Sequence, residues 1–288
     1  MPAIERYVVP RSLAEAAELL RGGGATILAG GTDLMPQTRS GRAGFRPLLM
    51  NIRRIPELRG IGERDGTIRI GALTTITELM DSPLVRERLN VLWQACDHFA
   101  SDQIRNAATL GGNLCNASPA GDTLVPLMVL DARVVLARKA NGTLEWRSLP
   151  LAGFFQGPGK TALAPEEILV AVEIPAPRAG FHGEFHKFGT RPALDIAAIS
   201  IGVGAVCDGA KLHGVRVALG AVAPTPIRAP QAEAALEGRV PDAATIEAAQ
   251  RAVDAAIQPI DDVRASGWYR RELVRNILRR VIIRVSER

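Results

Sequence analysis

The chain has 288 residues, 47% of them hydrophobic, and a net charge of +5, which is enough length for two domains and a sizeable buried core. No run of about eighteen apolar residues occurs, so no transmembrane helix is expected, and the opening MPAIERYVVPRS has neither the apolar stretch nor the cleavage site of a secretory signal. The cysteines Cys96, Cys115 and Cys207 lie far apart without a CxxC pair; that usage suits a reducing, cytoplasmic compartment and supplies fewer thiolates than an iron–sulfur cluster takes.

In chain order, residues 7–9 predict a short strand. Ser12 with Glu15 predicts a capping box, opening a helix that stops at Gly22-Gly23-Gly24. Residues 25–29 read as a strand that delivers the chain into GGTDL, so the first glycine pair sits on a strand-to-loop turn. Residues 48–52 predict a buried strand, and 58–62 and 67–71 flank Glu-Arg-Asp-Gly, a hairpin turn. Thr75 and Glu78 repeat the capping-box pattern, and residues 91–100 read as a helix leading towards TLGGN. Residues 127–137 and those around 168–174 read as strands, with an Asn141-Gly142 turn between them. Pro175-Ala-Pro-Arg-Ala-Gly180 is the best linker candidate. Beyond it come apolar strands at 196–206 and 215–222, joined by a turn around Asp208-Gly209, and then helices at 231–236, 243–257 and 266–285. Strands followed by helices imply an α+β architecture.

The basic excess gathers at the C-terminus, where residues 264–288 hold eight arginines against two acidic residues. Little aromatic interleaving accompanies it, so a solvated helix face or a protein interface fits better than a nucleic-acid site. The familiar nucleotide motifs fail. Gly202-Val-Gly204-Ala-Val-Cys207 lacks the third glycine of a dinucleotide fingerprint. The stretch from Gly153 to Lys160 resembles a phosphate loop with one residue too many before Gly159-Lys160. His182 and His186 stand among glycine and phenylalanine with no helix expected, His98 and His213 are isolated, and no G-x-S-x-G elbow appears.

Two glycine pairs remain. ILAGGTDLMPQ at 27–37 and TLGGNLCNASPAGDTLVPL at 109–127 both surround Gly-Gly with hydroxyl and carboxamide side chains. Either pair alone is equally well read as a tight turn. Together, consecutive amides in glycine turns make anion-binding nests, with Thr32, Thr109 and Asn113 adding donors. Such loops suit a diphosphate neutralised by dipoles rather than by lysine or arginine. Ser118 and Asp122 suit the hydroxyls and ring nitrogens of a dinucleotide, though the spacing does not say which one.

AGGTDL at 29–34 and ATLGGNLCNASPAGDTLVPLMVLDA at 108–132 resemble the two FAD-binding signatures of the molybdenum-hydroxylase flavoprotein subunits, the medium subunits of CO dehydrogenase-like enzymes and the flavin domains of xanthine dehydrogenases. The resemblance continues through FFQGPGKTALAPEEILVAVEIP, FHKFGTRPALDIAAIS, VALGAVAPTPIRAPQAEAAL and PIDDVRASGWYRRELVRNILRR, nearly the whole chain. It implies a two-part FAD-binding domain of the PCMH type over 1–176, with subdomains of about 1–57 and 58–176. A smaller α+β domain of the CO dehydrogenase flavoprotein C-terminal type follows over 177–288.

Carried over by position, the resemblance implies that Ile27, Leu28, Ala29, Gly30, Gly31, Thr32, Asp33 and Leu34, with Thr109, Leu110, Gly111, Gly112 and Asn113, wrap the FAD diphosphate through main-chain amides. Asp122 falls where the family places a carboxylate on the flavin's ribityl or nucleotide part. Phe99 and Leu169 fall on residues packing near the flavin, and Lys187 on a cofactor-contacting lysine. From the residues alone, Phe99 and Leu169 have a second reading as core residues, and Lys187 reads equally as a surface lysine. Cys115 reads as a packed thiol. The family's division of labour implies partners: a small 2Fe–2S subunit that delivers electrons, a large molybdopterin subunit that oxidises substrate, and a dimer of heterotrimers. FAD then passes electrons to NAD+, a quinone or another acceptor. A stand-alone FAD-dependent oxidase of related fold is the alternative, although the small helical tail offers no acid–base constellation for one.

Overall fold

A computed structural model describes residues 4–191 and 194–287; residues 192 and 193, within FHKFGTRPALDIAAIS, lie outside the described residues. The first layer alternates β1 (Arg6–Val8), α1 (Leu13–Leu20), β2 (Ala25–Leu28), α2 (Leu34–Arg39) and β3 (Leu48–Asn51). Its three strands are parallel, in the order β1-β3-β2. Leu13, Ala16, Ala17 and Leu20 form the buried stripe of α1, spaced as one face of a 3.6-residue helix. The Ser12 hydroxyl accepts from Glu15 N–H at 3.2 Å. The Glu15 carboxylate reaches past Ser12 to the N–H of Arg11 at 2.8 Å, so only half of the expected capping box forms. The short helix α2 follows the GGTD turn where a continuing loop was expected; its Pro36 lies in the first turn, where a missing N–H does no harm.

The middle layer begins with the predicted hairpin β4 (Ile61–Arg64) and β5 (Thr67–Gly71), turned by Asp65 and Gly66 at positive φ. Five helices follow: α3 (Ile76–Asp81), α4 (Pro83–Arg88), α5 (Asn90–Asp97), α6 (Asp102–Arg105) and α7 (Leu110–Asn116). Helix α3 opens on a complete Thr75–Glu78 capping box. Next is α8 (Leu124–Val129), which corrects the reading of a strand over 127–137: the strand β6 begins only at Arg133 and runs to Ala140. Every residue from Leu124 to Val129 is buried, and a run buried on all sides carries no periodicity to separate helix from strand. Asn141-Gly142 joins β6 to β7 (Thr143–Pro150), an edge strand absent from the expectation because much of it is exposed. A small hairpin of β8 (Phe155–Gly157) and β9 (Lys160–Thr161) leads to β10 (Ile168–Pro175). The sheet is antiparallel, in the order β4-β5-β10-β6-β7.

The last layer is an antiparallel sheet of β11 (Phe181–Phe188), β12 (Ile199–Asp208), β13 (Lys211–Gly220) and β14 (Ile227–Arg228), followed by α9 (Pro230–Leu236), α10 (Ala243–Ala256) and α11 (Gly267–Ser286). The near-Rossmann glycines serve packing: a Cβ on Gly202 or Gly204 would lie 2.9 or 2.7 Å from Val129 of α8. Helix α11 buries Val274, Ile277, Leu278, Val281, Ile282 and Val285. Its charge is largely spent inside the chain. Arg270 meets Asp262 at 2.7 Å, Arg271 and Arg275 meet Asp254 at 3.1 and 3.0 Å, and Arg284 meets Glu184 at 2.9 Å.

One carboxamide ties the last layer to the middle one. The open edge of β11 is met by α5, where Gln94 accepts from Phe185 N–H at 2.7 Å and donates to Gly183 C=O at 3.3 Å. A side chain at Gly183 would strike Val91 at 2.7 Å. Replacing Gln94 with leucine leaves the Phe185 amide without an acceptor and is expected to cost about 1–3 kcal/mol. A urea titration checks this, and an unchanged midpoint at unchanged slope is the contrary result.

Candidate functional site

A cleft of about 1350 Å³ lies where the three layers meet, above the usual range of roughly 300–1,000 Å³ for drug-sized ligands and so roomy enough for a dinucleotide. Ile27 and Ala29 through Leu34 line it from the first layer. Thr109, Gly111, Gly112 and Asn113 line it from α7, and Ser118 and Asp122 from the segment beyond. Phe99 and Leu169 also reach its wall while only 8% and 3% exposed, so each serves the core and the cleft at once. Leu28, Leu110 and Lys187 do not line it. Leu110 is fully buried in the core, Leu28 ends β2 beneath the Gly30-Gly31 turn, and Lys187 stands behind Asp122.

The two glycine pairs meet as expected but do different things. A Cβ on Gly30 would fall 2.1 Å from the carbonyl oxygen of Ala107, just ahead of Thr109, so glycine there is what lets the segments touch. Gly31 has φ +75, a conformation open mainly to glycine. Among the described residues, the N–H groups of Gly30, Gly31, Thr32, Asp33 and Leu34 have no acceptor. They form a nest of donors at the cleft wall.

The second pair is a correction: it is a helix start rather than a loop, and its amides are already used. Leu110 N–H donates to Thr74 C=O and Gly111 N–H to Ala72 C=O, both at 2.9 Å. Gly112 N–H donates to the Thr109 hydroxyl at 3.1 Å, and Asn113 N–H to Thr109 C=O at 3.0 Å. Glycine is needed at 111 because a Cβ would strike Ala72 at 2.7 Å. What this segment offers a ligand is side-chain chemistry: Asn113 uses its Oδ1 to accept from Thr123 at 2.7 Å, leaving its amide donors for the cleft.

A buried ion pair stands behind another part of the wall, with Asp122 as the member that lines the cleft. Lys187 Nζ donates to Asp122 Oδ2 at 2.8 Å and to His98 C=O at 3.1 Å, with side chains 8% and 12% exposed for Lys187 and Asp122. Asp122 Oδ1 is buried with no hydrogen-bond partner. Burial pushes the Asp122 carboxyl up to about 6, against the pull of Lys187. An acceptor left unpaired at such a depth costs free energy unless a donor arrives.

Several functional residues escaped the sequence. Gln37 Nε2 bridges Asp33 Oδ2 at 2.7 Å and Asn116 Oδ1 at 2.9 Å, tying the two signatures together. Cationic side chains also line the cleft: Arg42, Arg46, Arg264 and Arg270. Arg46 is turned to Gly23 C=O, and Arg264 and Arg270 to Asp262. Ala100, Leu194 and Ala221, at φ 38, 58 and 61, also line it. Non-glycine residues at positive φ are costly and gather at ligand sites.

The donor nest and the buried acceptor on one cleft, together with its volume, fit FAD, whose diphosphate needs donors and whose hydroxyls and ring N–H need acceptors. Residues 3–177 match the family described as the FAD binding domain in molybdopterin dehydrogenase, and residues 184–285 the CO dehydrogenase flavoprotein C-terminal domain. The xanthine dehydrogenase FAD-binding subunit of Escherichia coli O157:H7 is 35% identical, the match covering 94% of this chain and 92% of that one. The solved carbon monoxide dehydrogenase of Hydrogenophaga pseudoflava superposes with a TM-score of 0.92 at 34% identity, covering 98% of this chain and 97% of that one. Quinoline 2-oxidoreductase of Pseudomonas putida 86 gives 0.91 at 30% identity, covering 99% and 98%. With both parts of the fold and nearly the full length matched, the chain belongs to the FAD-binding subunit family of the molybdenum hydroxylases, the oxidoreductases that include xanthine and CO dehydrogenases.

Proposed function

We propose that this chain is the electron-transfer subunit of a cytoplasmic heteromeric molybdenum hydroxylase. It holds FAD between the GGTD turn and Asp122. The observation that carries the reading is the presence, in one cleft, of unpaired amides at Gly30–Leu34 and of the unpaired Asp122 Oδ1. The amides of the first turn bind the diphosphate, with Thr32, Asn113 and Ser118 adding hydroxyl and carboxamide contacts. Asp122 Oδ1 accepts from a ribityl hydroxyl or a ring N–H, and Lys187 keeps that carboxylate ionised. Phe99 and Leu169 exclude water from apolar ring surface. Bound FAD supplies the chemistry of accepting electrons singly and passing them on in pairs.

The donor and the oxidising centre are assigned to other chains: a small subunit with 2Fe–2S clusters and a large molybdopterin subunit, in a dimer of heterotrimers. NAD+, a quinone or another acceptor takes the electrons away. Residues 1–176 are proposed as the FAD-binding part, split at about 57, and 177–288 as the C-terminal part.

Titrating the purified chain with FAD and following flavin fluorescence tests the cofactor assignment, with one FAD per chain expected. Co-expression with the neighbouring reading frames tests the assembly, where an iron–sulfur and a molybdopterin chain are expected to co-purify. A protein that leaves FAD free at tens of micromolar sinks the proposal.

A further inference from the structure

We infer that Arg53, which does not line the cleft, is a positioning residue for the diphosphate, acting through the first glycine turn; this rests on the FAD reading above. Its guanidinium lies on the far side of the turn, donating from Nε to Ala29 C=O at 2.6 Å and from Nη2 to Gly30 C=O at 2.7 Å. In a trans peptide the carbonyl of one residue and the N–H of the next point in opposite directions from a rigid plane. Fixing the Ala29 and Gly30 carbonyls towards Arg53 therefore aims the Gly30 and Gly31 N–H groups away from it, and both glycines are cleft residues.

The charge adds a second effect. Among the described residues Arg53 has no carboxylate within ion-pair distance, so its full positive charge sits behind the turn. It polarises the two peptides it binds and attracts an anion on their other side. The fork is itself held in place: Arg53 N–H donates to Asn51 Oδ1 at 3.1 Å, and its C=O accepts from Arg59 Nη2 at 3.0 Å. A guanidinium suits the task because it grips two acceptors in fixed geometry, whereas an ammonium is a point donor.

The test compares dissociation constants of the full chain for FAD, ADP and riboflavin in wild type, Arg53→Met and Arg53→Lys. FAD and ADP carry the diphosphate and riboflavin does not. FAD and ADP are expected to weaken by about tenfold or more in Arg53→Met, with riboflavin changing less than about twofold, and Arg53→Lys is expected to restore part of the loss. Unchanged FAD and ADP binding overturns the inference, as does an equal loss for riboflavin. Should Arg53→Met fail to fold, Arg53→Lys alone decides, with about threefold selective weakening of FAD and ADP expected. Wild-type protein that binds none of the three instead overturns the FAD assignment.

Discussion

Asp122→Asn is expected to weaken FAD binding by about tenfold or more and to destabilise the chain even without cofactor. The substitution leaves the Lys187 ammonium, 8% exposed, without a counter-charge, facing only neutral acceptors at His98 C=O and the amide oxygen. Leaving one charge of a buried pair uncompensated costs about 3–5 kcal/mol. Asp122→Asn combined with Lys187→Met removes the stranded charge, so the pair should be more stable than the sum of the singles predicts. In the double variant the amide oxygen is no longer held by Lys187 and is free to face the cofactor, so FAD affinity should recover in part.

The pH dependence has a definite sign. Burial raises the Asp122 carboxyl from 3.8 to about 6 in the folded apo-protein, so the folded state binds the proton more tightly than the unfolded one. The stability this contributes is fully present below pH 3.8 and is lost as pH rises to about 6. A donor on FAD reaching Oδ1 favours the ionised form, so FAD affinity should rise between about pH 5 and 7. The profile should flatten in Asp122→Asn. Dissociation constants from flavin fluorescence across that range check it, and identical profiles in both proteins would remove Asp122 from the site.

What the sequence revealed and what it hid divide along a physical line. Gly30 and Gly31 were legible because few residues tolerate that backbone and that close approach, and the strand before them is marked by its apolar run. The segregation of strands from helices in the C-terminal part was legible from the apolar, β-branched runs at 196–206 and 215–222. The helical state of Leu110–Asn116 was not, because adjacent glycines are poor helix formers and the contacts that hold this helix start come from Ala72 and Thr74. Arg53 and Gln37 were invisible as site residues: their partners lie 23 and 79 residues away at Gly30 and Asn116. The resemblance implies that Lys187 contacts the cofactor; in the structure its ammonium donates to Asp122, which lines the cleft.

The basic C-terminal helix shows what charge read along the sequence leaves open. Its arginines read in sequence as a solvated face or a protein interface; in space Arg270, Arg271, Arg275 and Arg284 meet acids of their own chain. Net charge along a helix therefore says little about a partner until the opposing side chains are known.

Gly30→Ala is expected to abolish FAD binding at concentrations where the wild type is saturated. The added methyl would lie 2.1 Å from Ala107 O, 2.9 Å from its carbonyl carbon and 3.1 Å from Ala108 Cα. All three are main-chain atoms, so no flexible side chain can swing aside. The Ala107–Ala108 segment cannot step back either: Ala108 N–H donates to Ile104 C=O at 2.7 Å, and its own C=O accepts from Ile76 N–H at 3.0 Å. The turn must move instead, which pulls Gly30 C=O from Arg53 and disperses the amides that face the diphosphate. Overpacking of this kind costs about 1–3 kcal/mol of stability. Gly142→Ala is the control, because it sits at φ +80 in a hairpin with nothing within 4 Å and should lose some stability while keeping FAD. Wild-type affinity in a folded Gly30→Ala protein would mean that the cofactor does not depend on the two signatures touching, and the cradle described here would have to be abandoned.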